Sequence, residues 1–334
     1  MDATRELGEF LRSRRARLTP QDLDLPEYGP RRVPGLRREE VAALAGVSAV
    51  YYTRLEQGRA ANPSTAVLNA LARVLRLDPT ERTHLRDLAR LPSRGRARAD
   101  GTGTGIVAPG SGGAGTAGVG AEGGAGVGVG AGGAGGVAGA GAGAGTTVGA
   151  VRVRPGLRRL LDAVGAVPAY VLGPDMTVLA ANRLAGALVL DPVGASVEGL
   201  NLARHILLDP AARELYPQWA DVARQTVGFL RFSAGRYGGQ PGFAALIAEL
   251  SAGSTEFPAL WAAHEVREKT WGSKRFRHRV VGEFELHYET IGLPGDEGCS
   301  LVILSPDPDS ADDTALRLLG SWSAEAPARR PAGR

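Results

Sequence analysis

Apolar residues recur at three- and four-residue spacing through most of residues 1–92, the signature of helices that bury one face. Leu7, Phe10, Leu11 and Leu18 predict a first helix over about 3–17, with arginines on its other faces. Val41, Leu44 and Ala45 mark a second, ended by Gly46, which supplies the positive φ of a tight helix-ending turn. Ser48 is placed to cap a third helix whose inner side is Tyr52, Leu55 and Glu56. Ser64 caps a fourth carrying Val67, Leu68, Leu71 and Leu75, and a fifth runs from Pro79 to about Leu91. Pro20, Pro26, Pro30 and Pro34 break up the connection between the first two helices. Arg31 and Arg32 in that connection would extend a basic surface. Five helices make a complete small all-α domain.

The pattern changes twice after that. In residues 101–150 glycine fills 23 of 50 positions, Ala, Val and Thr most of the rest, and Glu122 is the one charge. Such a segment cannot bury enough side chain to offset the entropy of ordering it. Gly128, Gly130 and Gly133 fit a dinucleotide fingerprint only by spacing, since no strand precedes them. The uncharged run 123–151 lacks Leu, Ile and Phe and is no membrane span. It reads as a disordered Gly/Ala-rich linker over 93–150, a tether.

Beyond it, 151–321 reads as an α+β domain, with 322–334 as a disordered tail. Strands are expected at 167–173 and 177–182 around a Gly-Pro-Asp turn, and helices at 183–190, 200–208, 211–234, 241–252 and 256–270. The segment 283–289 alternates strictly, with Phe284, Leu286 and Tyr288 on one face and Glu283, Glu285, His287 and Glu289 on the other. Residues 274–281 group Phe276, His278 and Val280, and 301–304 form a buried strand after a turn at 294–298. The expected arrangement is one antiparallel sheet with helices on one side, the layout of a PAS-like sensor. The chain is therefore multi-domain: an all-α helix-turn-helix part, a linker and an α+β PAS-like part.

Charge sharpens the first domain's role. Residues 1–100 carry 19 Arg against 13 Asp and Glu, a surplus of 6, which leaves the remainder at −2 of the net +4. Of the 39 Lys and Arg residues, only Lys269 and Lys274 are lysine. A basic module joined to a mildly acidic one suits a DNA binder with a separate regulatory part. The facing of the third helix leaves Ala49, Val50, Thr53 and Arg54 outward, small, apolar and Arg side chains of the kind the major groove accommodates. A single cysteine, Cys299, excludes an internal disulfide framework and fits a reducing cytoplasm, where a nucleoid-associated protein is expected. The N-terminal MDATRELGEF is too charged for a signal peptide.

Residues 36–64, with VAALAGVS, YYTRLEQGR and Asn62-Pro63-Ser64, resemble the Cro and repressor-like (XRE) helix-turn-helix family, and in particular its MmyB-like branch. The resemblance implies that Arg38 and Ser48 touch phosphates and that Ala49, Val50, Thr53 and Arg54 face base edges. Tyr51 would lie against the DNA backbone, with Gln57 and Arg59 at the helix end completing the interface with a double-stranded operator. Glu56 would pair inside the domain with Arg15. The second half, through RVRPGLRRLLD, AYVLGPDMTVLAAN, NLARHILLDPAARELYPQW, LWAAHEVR, KRFRH and VGEFELHYETIGLP, resembles the MmyB-like ligand-binding domain, whose ligand class is fatty acid. Ala181, where relatives commonly carry tryptophan, and Arg279, where they carry proline, depart from that pattern.

No catalytic set emerges, so an enzyme is not expected, and no cofactor is called for. His84, His205, His264, His278 and His287 lack metal-ligand spacing, and no metal is expected. Aromatic residues on the inserted helices could line an apolar cavity against the sheet, or simply fill a solid core. The candidate pocket residues are Trp219, Phe229, Phe232, Trp261, Phe276, His278 and Tyr288, with Arg236, Lys269 or Lys274 available to a carboxylate head group. The expectation is a transcription regulator controlled by a fatty-acid-like molecule. The alternative is that the second half is an interaction or dimerisation module with no metabolite. A Gly-rich tether cannot carry a twist between halves, so ligand control is expected through homodimerisation or through masking of the DNA reader.

Overall fold

The computed structural model describes residues 3–25, 35–60, 62–90, 153–190, 196–296 and 298–325. Pro26, Pro30, Pro34, Arg31, Arg32, the Gly/Ala-rich run and residues 326–334 lie outside them.

The N-terminal domain is built from α1 (Ala3–Arg17), a single 3₁₀ turn (Gln21–Leu23), α2 (Arg38–Ala45), α3 (Ala49–Glu56), α4 (Thr65–Val74) and α5 (Pro79–Arg90). The apolar stripes converge as their spacing requires: Leu7, Phe10, Leu11, Val41, Tyr52, Leu55, Leu71 and Leu85 are all buried in one core. Gly46 ends α2 at φ 68°, and the Ser48 hydroxyl accepts from the Tyr51 amide at 3.1 Å to start α3. Ser64 starts α4 in the same way, accepting from the Val67 amide at 3.3 Å. Gly8 sets the spacing of α1 on α3, since a Cβ there would fall 2.4 Å from the Glu56 carbonyl oxygen.

The C-terminal domain begins with α6 (Pro155–Ala163) and the hairpin β1 (Ala169–Leu172) and β2 (Val178–Ala181). Six helices follow: α7 (Arg183–Val189), α8 (Leu202–Leu208), α9 (Ala211–Leu215), α10 (Trp219–Tyr237), α11 (Pro241–Gly253) and α12 (Phe257–Ala262). Three strands return, β3 (Trp271–His278), β4 (Gly282–Gly292) and β5 (Ser300–Ser305), and α13 (Ala311–Glu325) closes the described chain. The sheet order is β2-β1-β5-β4-β3, antiparallel throughout. Phe284, Leu286 and Tyr288 face the helices, while Glu283, Glu285, His287 and Glu289 stand on the opposite face.

Four expectations need correction. The helix expected over 211–234 is two, because Pro217 has no amide to donate at the break between α9 and α10. The helix expected over 256–270 stops at Ala262. His264 takes a left-handed φ of 51°, and residues 263–270 run on without helix or strand. Helices do not keep to one side of the sheet, since Leu157 and Leu161 of α6 pack on the other face against Val171, Ala180 and Leu301. The domain also outruns residue 321, for α13 continues to Glu325 and buries Leu316 and Leu319.

The largest departure concerns how the halves meet. They are not joined by a tether alone, because α5 packs directly on α10. His84 of α5 sits under Gly235 of α10, where a Cβ would fall 2.7 Å from the imidazole Nδ1. Phe232 of α10 and Val266 join the N-terminal core. Arg231, 2 % exposed, reaches Glu6 of α1 at 2.9 Å and donates to the Trp261 carbonyl. Burial in this seam, with Arg231 nearby, drives the His84 pKa down to about 3, which leaves the ring neutral. A hydrophobic patch with paired buried cations makes a packed interface rather than a loose encounter.

Candidate functional site

The outward side of α3 is open. Val50 is 64 % exposed, Arg54, Gln57 and Arg59 are exposed with it, and Ala49, Tyr51 and Thr53 are half-buried along the same face. The C-terminal domain packs on α1 and α5, so this face is not masked in the structure. Ser48 is exposed at the N-terminus of α3, where free amides and the helix dipole favour a phosphate, although its hydroxyl is already engaged as the cap.

Beneath that face, Glu56 organises the charge. Its side chain is fully buried. Arg15 donates through Nε to Oε1 at 2.6 Å and through Nη2 to Oε2 at 3.2 Å, and its Nη1 reaches the Leu36 carbonyl at 2.8 Å. Arg38 adds a third bond, Nε to Oε2 at 2.7 Å. Burial alone would raise the Glu56 pKa, but the hydrogen bonds from Arg15 and Arg38 outweigh it and hold the carboxyl below the usual range. Arg38 thus has a structural partner, while its side chain keeps 38 % exposure at the edge of the open α3 face.

The second site is a cavity of about 850 Å³, within the usual range for small-molecule pockets. Met176, Thr226 and Phe229 form one wall, residues 265–274 and Tyr288 another, and Arg17, Asp78, Thr80 and Glu81 of the N-terminal domain a third. Both lysines of the chain open into it. Lys269 Nζ lies 5.8 Å from the ring centres of Tyr170 and Tyr288, and Lys274 Nζ lies 5.6 Å from Tyr288 and 5.9 Å from Tyr216. Neither forms an ion pair among the described residues, and Lys269 Nζ is shielded from solvent without a hydrogen-bond partner. Burial, with the neighbouring Lys274 charge, pushes Lys269 well below the ordinary ammonium range, and burial lowers Lys274 to about 8. Gly272 leaves room beside Tyr288, where a Cβ would come within 2.8 Å of the phenol oxygen.

Of the aromatic candidates, Phe229 and Tyr288 line this cavity. Trp219 gives its indole N–H to the Ile206 carbonyl at 2.7 Å, under the Arg213 guanidinium. Trp261 stacks on Phe257 at 5.4 Å, and Phe232 belongs to the domain seam. Phe276 sits between Tyr216 and Phe284. His278 donates from Nε2 to the Ala187 carbonyl at 3.0 Å and accepts the Val280 amide at Nδ1, which locks its tautomer. Arg236 lies against the Tyr237 ring rather than along the cavity. Met176, Thr226 and the wall from the N-terminal domain were invisible to sequence reading, for no periodicity links segments so far apart.

Among the described residues no cluster of His, Cys, Asp or Glu could hold a metal ion, and no helix is long and apolar enough to cross a membrane. Cys299 is buried, and burial raises its pKa.

Both sites lie within residues that match known families. Residues 6–85 match a helix-turn-helix domain, and residues 153–319 match the MmyB-like transcription regulator ligand binding domain. No curated protein matches the chain. The open α3 face lies in the first match and the sheet and lysines of the cavity in the second, so the chain belongs to the MmyB-like transcription regulators, a DNA-binding regulator that carries a ligand-binding domain.

Proposed function

We propose that the C-terminal domain takes an amphipathic acid of fatty-acid type, with its anionic head between Lys269 and Lys274 and its chain along Met176 and Phe229. The observation that carries this reading is the lysine pair. Two lysine amines meet in one cavity without a carboxylate partner among the described residues, Lys269 Nζ is shielded from solvent, and a bidentate anion would stabilise the charged form that burial disfavours. Tyr288 stands beside both and can add a hydrogen bond. On the DNA side, Arg54 would read a base edge from the middle of α3, with Ala49, Val50 and Thr53 packing on neighbouring bases. Arg38, Ser48, Tyr51, Gln57 and Arg59 would hold the phosphates. Two chains would place two such faces on half-sites about 34 Å apart.

The test is extraction and mass spectrometry of the purified full chain, followed by calorimetric titration with sodium dodecanoate. A co-purified acid near one per chain, or saturable dodecanoate binding that Lys269→Met abolishes, supports the reading. An empty extract and no heat of binding would favour an interaction module instead.

A further inference from the structure

Residues 263–270 connect α12 to β3 as a strap pinned at both ends. Near its start, Arg14 of α1 donates Nη2 to the His264 carbonyl at 2.7 Å, and Val266 is buried in the N-terminal core. In its middle, the Arg267 amide donates to the Gly228 carbonyl of α10 at 3.1 Å. At its far end the Thr270 carbonyl accepts from Thr290 of β4 at 2.7 Å, and Lys269 opens into the cavity. Two extended residues, Arg267 and Glu268, separate Val266 from Lys269, three steps of about 10 Å in all.

Arg14 ties the two ends of this argument together. It is 2 % exposed, and besides the strap carbonyl it pairs with Glu81 at 2.7 Å, itself on the cavity wall. Burial lowers even this guanidinium to about 10, and the Glu81 carboxylate offsets part of the cost of keeping the charge in the seam. A molecule that fixes Lys269 therefore fixes the strap that the DNA-binding domain holds through Arg14 and Val266.

We infer that the 263–270 strap couples the cavity to the DNA-binding domain: occupancy of the cavity orders the strap and tightens the docking of α1 and α5 on α10. The inference rests on the proposed anion site. It places communication in direct contact between the domains, where the linker's length has no part. By linkage, docking must strengthen ligand binding by the same factor that ligand strengthens docking.

Hydrogen exchange on the full chain, with and without sodium dodecanoate, tests this. Dodecanoate is expected to slow exchange in β3 and residues 265–270, and also to slow it by roughly threefold or more in the buried turns of α1 and α5. In Arg14→Met, β3 protection at saturating dodecanoate is expected to persist, dodecanoate affinity to fall by about the threefold or more that coupling contributes, and the response of α1 and α5 to disappear. Protection at the cavity with unchanged or faster exchange in α1 and α5 of the native chain would overturn the coupling and leave the ligand reading standing. So would an Arg14→Met chain in which α1 and α5 still respond. Absence of dodecanoate binding by calorimetry, with exchange unchanged everywhere, would instead overturn the ligand reading, and this inference with it.

Discussion

Replacing Glu56 by Gln keeps the volume at the base of α3 but removes the one charge that Arg15 and Arg38 share. The Arg15 side chain is 8 % exposed, so in the variant a buried guanidinium faces an amide that can accept only at one atom. Breaking a buried pair by neutralising one partner typically costs 3–5 kcal/mol. Arg38 adds little, since at 38 % exposure its bond is screened and worth about 0–1 kcal/mol. The expected loss is therefore about 3–5 kcal/mol, a large share of the roughly 5–15 kcal/mol that holds a typical domain folded. Urea unfolding of the full chain followed by hydrogen exchange in α1 and α3 would read it. The variant also carries a pH signature. Because the folded-state pKa of Glu56 is depressed, its contribution is complete above the unfolded value of about 4.3 and is lost as pH falls through the lower folded value. The gap between native and Glu56→Gln chains should thus be constant from pH 7 to about 5 and shrink below about 4. A loss under about 1 kcal/mol, or a gap independent of pH down to 3, would refute the assignment of the pair as the domain's internal clamp.

Arg54→Ala should cost about 1–3 kcal/mol on an operator recovered by selection of bound genomic fragments, and relax preference at one base pair; equal losses on random DNA would remove Arg54 from base reading. Arg59→Ala should instead weaken binding to all sequences and reduce the salt slope by about one, which titrations at several ionic strengths would show. Dodecanoate affinity should fall as pH rises through about 8, because Lys274 then loses the charge that an anion needs, and in Lys274→Met this pH dependence should flatten. Gly272→Ala should push the Tyr288 phenol toward the lysines and lower dodecanoate affinity without altering DNA binding; an unchanged titration would place the ligand elsewhere.

Local chemistry was readable wherever it was decided locally. The limits of α1, the Gly46 turn, the Ser48 and Ser64 caps and the alternation through Phe284, Leu286 and Tyr288 each follow from spacing or a single residue's conformational preference. The stretch 263–270 was not, because HEVREK has adequate helix propensity and is extended only through tertiary capture: Arg14 takes the His264 carbonyl and the N-terminal core takes Val266. The same holds for the Arg231–Glu6 contact, which spans 225 positions and has no pattern in the intervening chain. α13 carries no such signal, since Leu316 and Leu319 are ordinary until the face that receives them is known. The lysines were visible as the chain's only two, but their meeting in one cavity depends on the register that sets Gly272 opposite Tyr288.

The seam between α5 and α10 bears on exchangeability. Helix-turn-helix readers are often treated as interchangeable heads, yet this one is fitted to its body by shape and by charge. Any reader grafted onto α10 must offer a flat ring or a void beneath Gly235, since a larger group there has nowhere to go. It must also offer a carboxylate where Glu6 stands, or Arg231 is left buried without its counter-charge. A hybrid that ignored either demand would keep two folded parts and lose their registry. Recombination can thus trade whole chains of this design far more readily than it can trade their halves.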